Sequence, residues 1–561
     1  MNRQKILLGL LVLLALYLPF LNQAFHIDDP FFIAVGDQIL KDWLRPFSFN
    51  FNSSGAALPV FTTQVNPPLH GYFLAGIIAL FGHAEWALHL FSFLFVALFF
   101  LGMADLGRRF GVSPIWAGVL AAVTPAVMVN SHLVMPDLAL TAFYLWAVTC
   151  FIRGVDSGRK GWLAAAGLCA AAAALTRYTG LTVLPLMALY AMLQRDRSAQ
   201  ERWNGTALAL SIPVAAMILW TLWNIRVYGS PHLTASFAFT RQLNRATPLL
   251  YFFRFAALLH YIGGTTIFPL SLMLLGNRKG APEKILLGVV LAVSALFGFF
   301  LFKQGYTPLQ AGCSLVMLAA AQAGIEHLLI RPLESKSNDD RFLVLWFVGI
   351  FFTCVFQYYP AVRRLLLLVP AWVVLYLRRV EPVPAARKWV PATIAATLAL
   401  GLCVSWVDYS MAGVHREFAH RLAREYPAEP GRTLWCSGHW GFQYYMEKEG
   451  ALPYDTRVPR PVSGDRVIIA SAPWPQVTVS AVDARLPADP DRVYEVNPDL
   501  KVITSPCGPI PLKTVSRAAS ANFHANVNHP GTVVFLPYVP SRTALETFLV
   551  ASVREPKKSS E

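Results

Sequence analysis

The chain of 561 residues is 55% hydrophobic and only 14% charged, with a mean hydropathy of +0.47. A soluble domain carries about 25% charged residues, so lipid rather than water must solvate most of this chain. The formal charge of +15 does not point to a nucleic-acid partner. The basic residues gather in short loops between apolar runs, which is how a membrane protein encodes its topology.

The N-terminus carries Arg3 and Lys5 ahead of an apolar run to Phe20. No small-x-small cleavage site follows in Leu21–Phe25, so this reads as an uncleaved first span and not as a signal peptide. A span needs about 20 apolar residues, fewer where its ends snorkel. That rule predicts about thirteen helices, at 5–21, 86–106, 114–130, 137–152, 161–176, 179–193, 204–223, 251–275, 284–302, 308–330, 341–357, 361–378 and 389–407. The run Pro67–Phe81 begins with two prolines and is too short to cross, so it is expected to lie at the interface or re-enter.

Charge tests this division. With a cytoplasmic N-terminus, the inside loops hold Arg108 and Arg109, the stretch Arg153–Lys160, the stretch Arg195–Arg202, Arg278 to Lys284, Arg331 to Arg341 and Arg378 to Lys388. The outside loops are poorer in cations. Counting Pro67–Phe81 as a span would move Arg108, Arg109 and Arg153–Lys160 outside, against the positive-inside rule. The expected fold is therefore an all-α polytopic membrane domain over 1–407, with a first extracytoplasmic loop at 22–85. A C-terminal extracytoplasmic α/β domain is expected over 408–561. In that tail, strand-like runs at Arg466–Ala470, Val477–Val482 and Thr532–Phe535 surround a helix-like segment at His439–Lys448. The expected location is a bacterial inner membrane.

Of the seven cysteines, only Cys436 and Cys507 lie in polar sequence, where an oxidising compartment would let them pair. No zinc-ligand spacing, phosphate-binding glycine loop, dinucleotide fingerprint or HExxH motif occurs.

Polar residues that the topology places on the outer side carry the candidate chemistry. Asp28-Asp29-Pro30 directly follows the first span. Asp29 before a proline suits a helix start. Asp28 is left as a candidate general base, and repulsion between the neighbouring carboxylates would raise one proton affinity. Asn66, before Pro67-Pro68, suits a helix cap, and His70 lies one turn beyond. Asp137 opens the fourth span. Arg177, Arg363 and Arg364 are cations on the outer side, suited to neutralising a phosphate.

The order of these pieces resembles the GT-C glycosyltransferases, in particular the bacterial branch related to protein O-mannosyltransferases and the lipid A aminoarabinose transferase. The resemblance rests on Asp28-Asp29, Asn66-Pro67-Pro68-Leu69-His70, Gly107-Arg108-Arg109-Phe110-Gly111, Met135-Pro136-Asp137 and Leu175-Thr176-Arg177. It covers about the first 230 residues. It implies an inverting hexosyl or pentosyl transferase with a polyprenyl-phosphate sugar donor and an envelope glycan, lipid or protein acceptor. Asp28 would be the base, with Asp29 beside it, and the arginines would meet the donor phosphate. A divalent metal bound by some relatives would draw on Asp137 and His70 here. The chain departs at Asp29, where the family often has Glu, and at Asn66, where the aminoarabinose transferase has a lysine. The competing readings are a lipid-linked glycan flippase or transporter, and a non-catalytic envelope assembly protein.

Overall fold

The computed structural model describes residues 3–53, 55–194, 198–243, 247–275, 299–300, 302–303, 306–334, 337–357, 359–455, 462, 464–472, 485–486, 494–496, 501–516, 521–524 and 536–554. The protein is mostly helical. Among the described residues, five helices are long and apolar enough to cross a membrane: Glu85–Arg109, Asp137–Ser157, Ala199–Tyr228, Pro308–Ile330 and Pro384–Glu425. A sixth is the pair Pro114–Ala122 and Pro125–Ser131, if these form one span.

Of the remaining apolar runs, 161–176 and 341–357 form the continuous helices Lys160–Thr176 and Asn338–Phe356, and several others are helical but broken. The predicted run 114–130 bends by 62° because Pro125 occupies the first helical position behind Thr124, whose hydroxyl caps a new helix through the Val127 N–H. The runs at 179–193, 251–275 and 361–378 each contain a 3₁₀ turn, at Tyr178–Thr182, Phe268–Leu275 and Val362–Leu367. The predicted run 284–302 lies largely outside the described residues, as do Val477–Val482 and Thr532–Phe535. The short helix Leu69–Phe81 spans only about 20 Å at 1.5 Å per residue, short of a hydrocarbon core of about 30 Å.

The two ends of the helical assembly differ in their chemistry. At one end, Arg109 meets Asp156 at 2.6 Å and Asp339 at 3.3 Å, while Arg378 meets Asp340 at 2.8 Å and the Phe110 carbonyl at 2.6 Å. These contacts join several of the cation-rich loops. At the other end, the loop 22–85 packs against the C-terminal part of the chain. Asn52 Nδ2 donates to the Tyr454 carbonyl at 2.9 Å, and the Phe25 N–H donates to the Tyr445 hydroxyl at 2.9 Å. The loop and the tail thus lie on the same side of the helices, as an even number of crossings between them requires.

The long helix Val390–Glu425 runs unbroken through 407–408, where the sequence suggests a boundary. The apolar run stops there, but Asp408, Met411, Ala412, His415, Phe418, Ala419 and Leu422 are all buried and keep a helical spacing toward one face. That face meets a mixed sheet. Strand Leu434–Ser437 pairs in parallel with Leu452–Pro453 and Arg466–Ala470, and the latter pairs antiparallel with Thr547–Arg554. The helix Trp440–Lys448 connects the first two parallel strands. Phe418 stacks on Phe548 at 4.9 Å. Phe25, Ile27, Phe442, Ile468 and Phe548 share one buried core, so the first loop and the sheet exclude water together. All seven cysteines are free thiols: Cys436 is buried in its strand and Cys507 is exposed.

Candidate active site

A cavity of about 610 Å³ opens where the first loop, the ends of the helices and the helix Trp440–Lys448 meet. Five of the residues singled out in the sequence line it: Asp28, Asn66, Asp137, Arg177 and Arg363. The other three, Asp29, His70 and Arg364, stand behind its walls.

Asp28 precedes the helix Asp29–Lys41 at the N-cap position, yet its side chain makes no capping bond. Its carboxylate is 45% exposed and lies 3.2 Å from Nη2 of Arg363, which is almost fully buried. Arg363 also donates to the Tyr359 hydroxyl. It reaches this position from the 3₁₀ turn Val362–Leu367.

Asp29 points the other way. Fully buried, it accepts the His26 N–H at 2.9 Å and the Val134 N–H at 2.7 Å. It caps no helix through its own first turn; instead it ties the first loop to the loop ahead of Asp137. Burial, with a smaller contribution from Asp28, pushes its carboxyl well above the usual range. Between His26 and Asp28, Ile27 holds a φ of 53°. A β-branched residue in the left-handed region costs about 1–3 kcal/mol and persists only where its flanks are fixed.

Asp137 and Arg177 form a buried ion pair in the cavity wall. Asp137 comes from the first turn of Asp137–Ser157, and Arg177 from the turn that ends Lys160–Thr176. Asn66 does not cap the helix Leu69–Phe81, whose N-cap is Pro68 without a side-chain bond. Its backbone N–H donates to Gln64 Oε1 at 3.1 Å instead. His70 Nε2 donates to the Val134 carbonyl at 2.7 Å. Burial lowers its imidazole to about 4, so it is neutral near pH 7. Arg364 donates to Gln357 and its guanidinium lies 4.0 Å from the centre of the Tyr359 ring, in a narrow recess beyond Arg363.

Three groups that complete the site were not singled out in the sequence. Tyr359 lies between the two arginines; burial pushes its phenol up, but Arg363 and Arg364 outweigh this and bring it down to about 8. His439 and Gln443 reach the cavity from 300 residues or more beyond most of its other walls. Gln443 Nε2 donates to the Asn52 carbonyl at 3.2 Å and to Glu447 Oε1 at 2.9 Å. The helix carrying Gln443 lies so close to the first loop that a Cβ at Gly441 would sit 1.9 Å from the Phe25 carbonyl oxygen. Only glycine permits that approach.

The pairing bears on the metal that the sequence resemblance implies. Asp137 is engaged by Arg177 and His70 by the Val134 carbonyl. Asp28 and Asp137 each already face a guanidinium, which a divalent cation would have to displace. Asp137 Oδ2 and His70 Nδ1 have no hydrogen-bond partner, but among the described residues no third His, Cys, Asp or Glu completes a metal-binding group with them, so the donor set falls short of a metal centre.

Comparison with known proteins agrees in kind. Residues 65–220 match the family model described as dolichyl-phosphate-mannose-protein mannosyltransferase. No curated protein matches the chain in sequence. Similar solved structures include the oligosaccharyltransferase AglB from Archaeoglobus fulgidus, in complex with an inhibitory peptide and a dolichol-phosphate. Its TM-score is 0.48 at 12% identity, over 80% of this chain and 64% of that one. ArnT from Cupriavidus metallidurans, bound to undecaprenyl phosphate, has a TM-score of 0.43 at 16% identity, over 84% of this chain and 94% of that one. The arabinofuranosyltransferase AftD from Mycobacteria has a TM-score of 0.41 at 13% identity, over 100% of this chain and 40% of that one. The present chain thus spans about two thirds of the length of the archaeal oligosaccharyltransferase or less. The likeness to the mannosyltransferase family thus covers residues 65–220, within an order of motifs that begins at Asp28.

Proposed function

We propose that the protein is an inverting glycosyltransferase that takes a sugar from a polyprenyl-phosphate donor and passes it to an envelope glycan, lipid or protein acceptor. The reaction would occur on the extracytoplasmic face of a bacterial inner membrane. One observation carries this reading: the half-exposed carboxylate of Asp28 faces the buried guanidinium of Arg363 across the wall of a single cavity.

The two groups suit opposite ends of the displacement. Asp28 takes the proton from the acceptor hydroxyl or amine as that atom attacks the anomeric carbon. The bond to the lipid phosphate breaks on the opposite face, so the anomeric configuration inverts. Arg363 stabilises the charge growing on the departing phosphate, with Arg177 beside Asp137 in the same wall and Arg364 behind it. Before the donor binds, Asp28 and Arg363 neutralise each other. An arriving phosphate draws Arg363 away and leaves Asp28 free to act as base. Asp29 touches no cavity atom and serves to position the loop.

The test is transfer from a polyprenyl-phosphate sugar in proteoliposomes. Asp28→Asn should insert and fold like the wild type while transfer falls by about 10²–10⁴-fold, the usual weight of a general base. Full activity in that variant would sink the mechanism and favour a transporter or assembly role. The sugar itself is best identified by mass spectrometry of envelope glycolipids and glycoproteins from a deletion strain.

A further inference from the structure

Beneath the cavity floor lies a second polar cluster that the transfer chemistry does not use. His26 follows the first helix, Asp408 sits within Val390–Glu425, and His524 follows the strand Ala521–Asn522. All three are fully or almost fully buried. His524 Nε2 lies 2.7 Å from Asp408 Oδ1, and His26 Nε2 lies 3.8 Å from the same oxygen. One nitrogen or oxygen from each residue falls within a sphere of contacts no wider than 4.8 Å. The rings of His26 and His524 meet edge to face at 5.5 Å, and Trp440 closes another side at 5.8 Å from His26.

Among the described residues, neither ring nitrogen of His26 has a hydrogen-bond partner, nor do Asp408 Oδ2 and His524 Nδ1. Each such orphan costs about 1–3 kcal/mol when buried, and buried polar groups are paired in nearly all native structures. A second proton on His26 would be drawn to Asp408 3.8 Å away, a carboxylate that His524 already engages. A bound cation answers the same need at His26 Nε2, between Asp408 Oδ1 and His524 Nε2.

We propose that His26, Asp408 and His524 form an enclosed binding site for a divalent transition ion, and that this ion positions the Asp28 loop. Two imidazoles and one carboxylate match zinc, which accepts nitrogen and oxygen donors at about 2.0–2.1 Å and leaves a fourth place for water. Ligands around such an ion lie roughly 3.3 Å apart. The 2.7 Å pair opens a little and the 3.8 Å pair closes a little, adjustments within the reach of side-chain torsions. The ion would fasten three segments that are remote in sequence. It also accounts for the strain at Ile27: His26 is held on one side, Asp29 on the other, and the left-handed residue between them sends Asp28 into the cavity.

The site is tested with the full-length protein in detergent. After chelator treatment and addition of zinc alone, gel-filtered wild type should retain on the order of one ion per chain by mass spectrometry. His26→Ala and His524→Ala should each retain about a tenth of that or less. His524→Cys should keep the ion and, with cobalt in place of zinc, show an intense thiolate-to-metal band, which a misfolded variant would not. Stripping the wild type should lower kcat by about tenfold or more with donor KM unchanged, and zinc should restore it. A wild type that retains no ion after zinc addition overturns the site, as does full retention in both alanine variants. Loss of the ion with kcat unaltered overturns the positioning role alone. Ion retention does not depend on transfer, so failure of the transfer reading and failure of this one give different results.

Discussion

Both ends of the helical assembly are built from arginine and aspartate, yet the pairs do different work. At the cation-rich end, Arg109, Asp156 and Asp339 are each 27–36% exposed, and such pairs are screened by water and add little stability. At the cavity end, the Asp137–Arg177 pair is 10% exposed or less, and Arg363 is 4% exposed opposite Asp28. Burying charge is expensive, and a buried pair is often no more stabilising than apolar side chains of the same shape. Ion pairs kept there point to a use other than stability, and the proposed donor phosphate supplies one. On the proposed function, identical residue types mark topology at one end and chemistry at the other.

The sharpest way to break this comparison is to remove a cation from each end and measure transfer. Arg363→Ala should lower activity by about 10²–10³-fold and weaken donor binding more than acceptor binding; adding Arg364→Ala should deepen the loss in donor affinity. Donor titrations in proteoliposomes check this, and unchanged donor affinity would make both arginines mere headgroup contacts. Next in size is Arg177→Ala, which strands the buried Asp137 carboxylate and should destabilise the protein by about 3–5 kcal/mol. Chemical denaturation in detergent reads this, and Arg177→Ala with Asp137→Ala should recover part of the loss.

A smaller effect follows from His70. Its imidazole is lowered to about 4 by burial, below the unfolded value of about 6.5. Between those values the unfolded chain binds the extra proton and the folded one does not, so stability is full above pH 6.5 and falls as pH drops toward 4. The contribution is about 3 kcal/mol. His70→Gln should flatten the thermal midpoint against pH over that window, and an unchanged slope would show that His70 is not the group responsible. Smallest of all, Arg109→Ala at the exposed end should cost about 1 kcal/mol or less and leave transfer intact. A loss of activity there would erase the contrast between the two ends.

Much of this was legible in the sequence because hydropathy and charge act locally. The apolar runs became helices wherever the chain is described. The alternation of cation-rich loops put Asp28, Asn66, Asp137, Arg177 and Arg363 on one side, where they share a cavity. What was hidden depends on direction and distance. Asp28 and Asp29 are neighbours, but the left-handed turn at Ile27 and the start of a helix send their carboxylates to opposite sides of a wall. Nothing in a pair of adjacent acids reports that. Gln443 and His439 come from a part of the chain whose packing on the first loop depends on Gly441 meeting the Phe25 carbonyl, a contact between residues more than 400 positions apart. The continuation of helix Val390–Glu425 did carry a signal, the spacing of Asp408, Met411, His415 and Phe418, but it begins where the apolar run ends. The cluster of His26, Asp408 and His524 left no spacing to find.

Val134 is gripped twice through its backbone: its N–H goes to Asp29 and its carbonyl accepts from His70. Its side chain takes part in neither bond. Substitution at this position should therefore be tolerated for any residue except proline that fits the buried space, whereas one residue inserted or deleted between Ser131 and Asp137 would put the wrong peptide group into the grip. That would turn Asp137 away from Arg177. The loop should accept changes in spelling and reject changes in length.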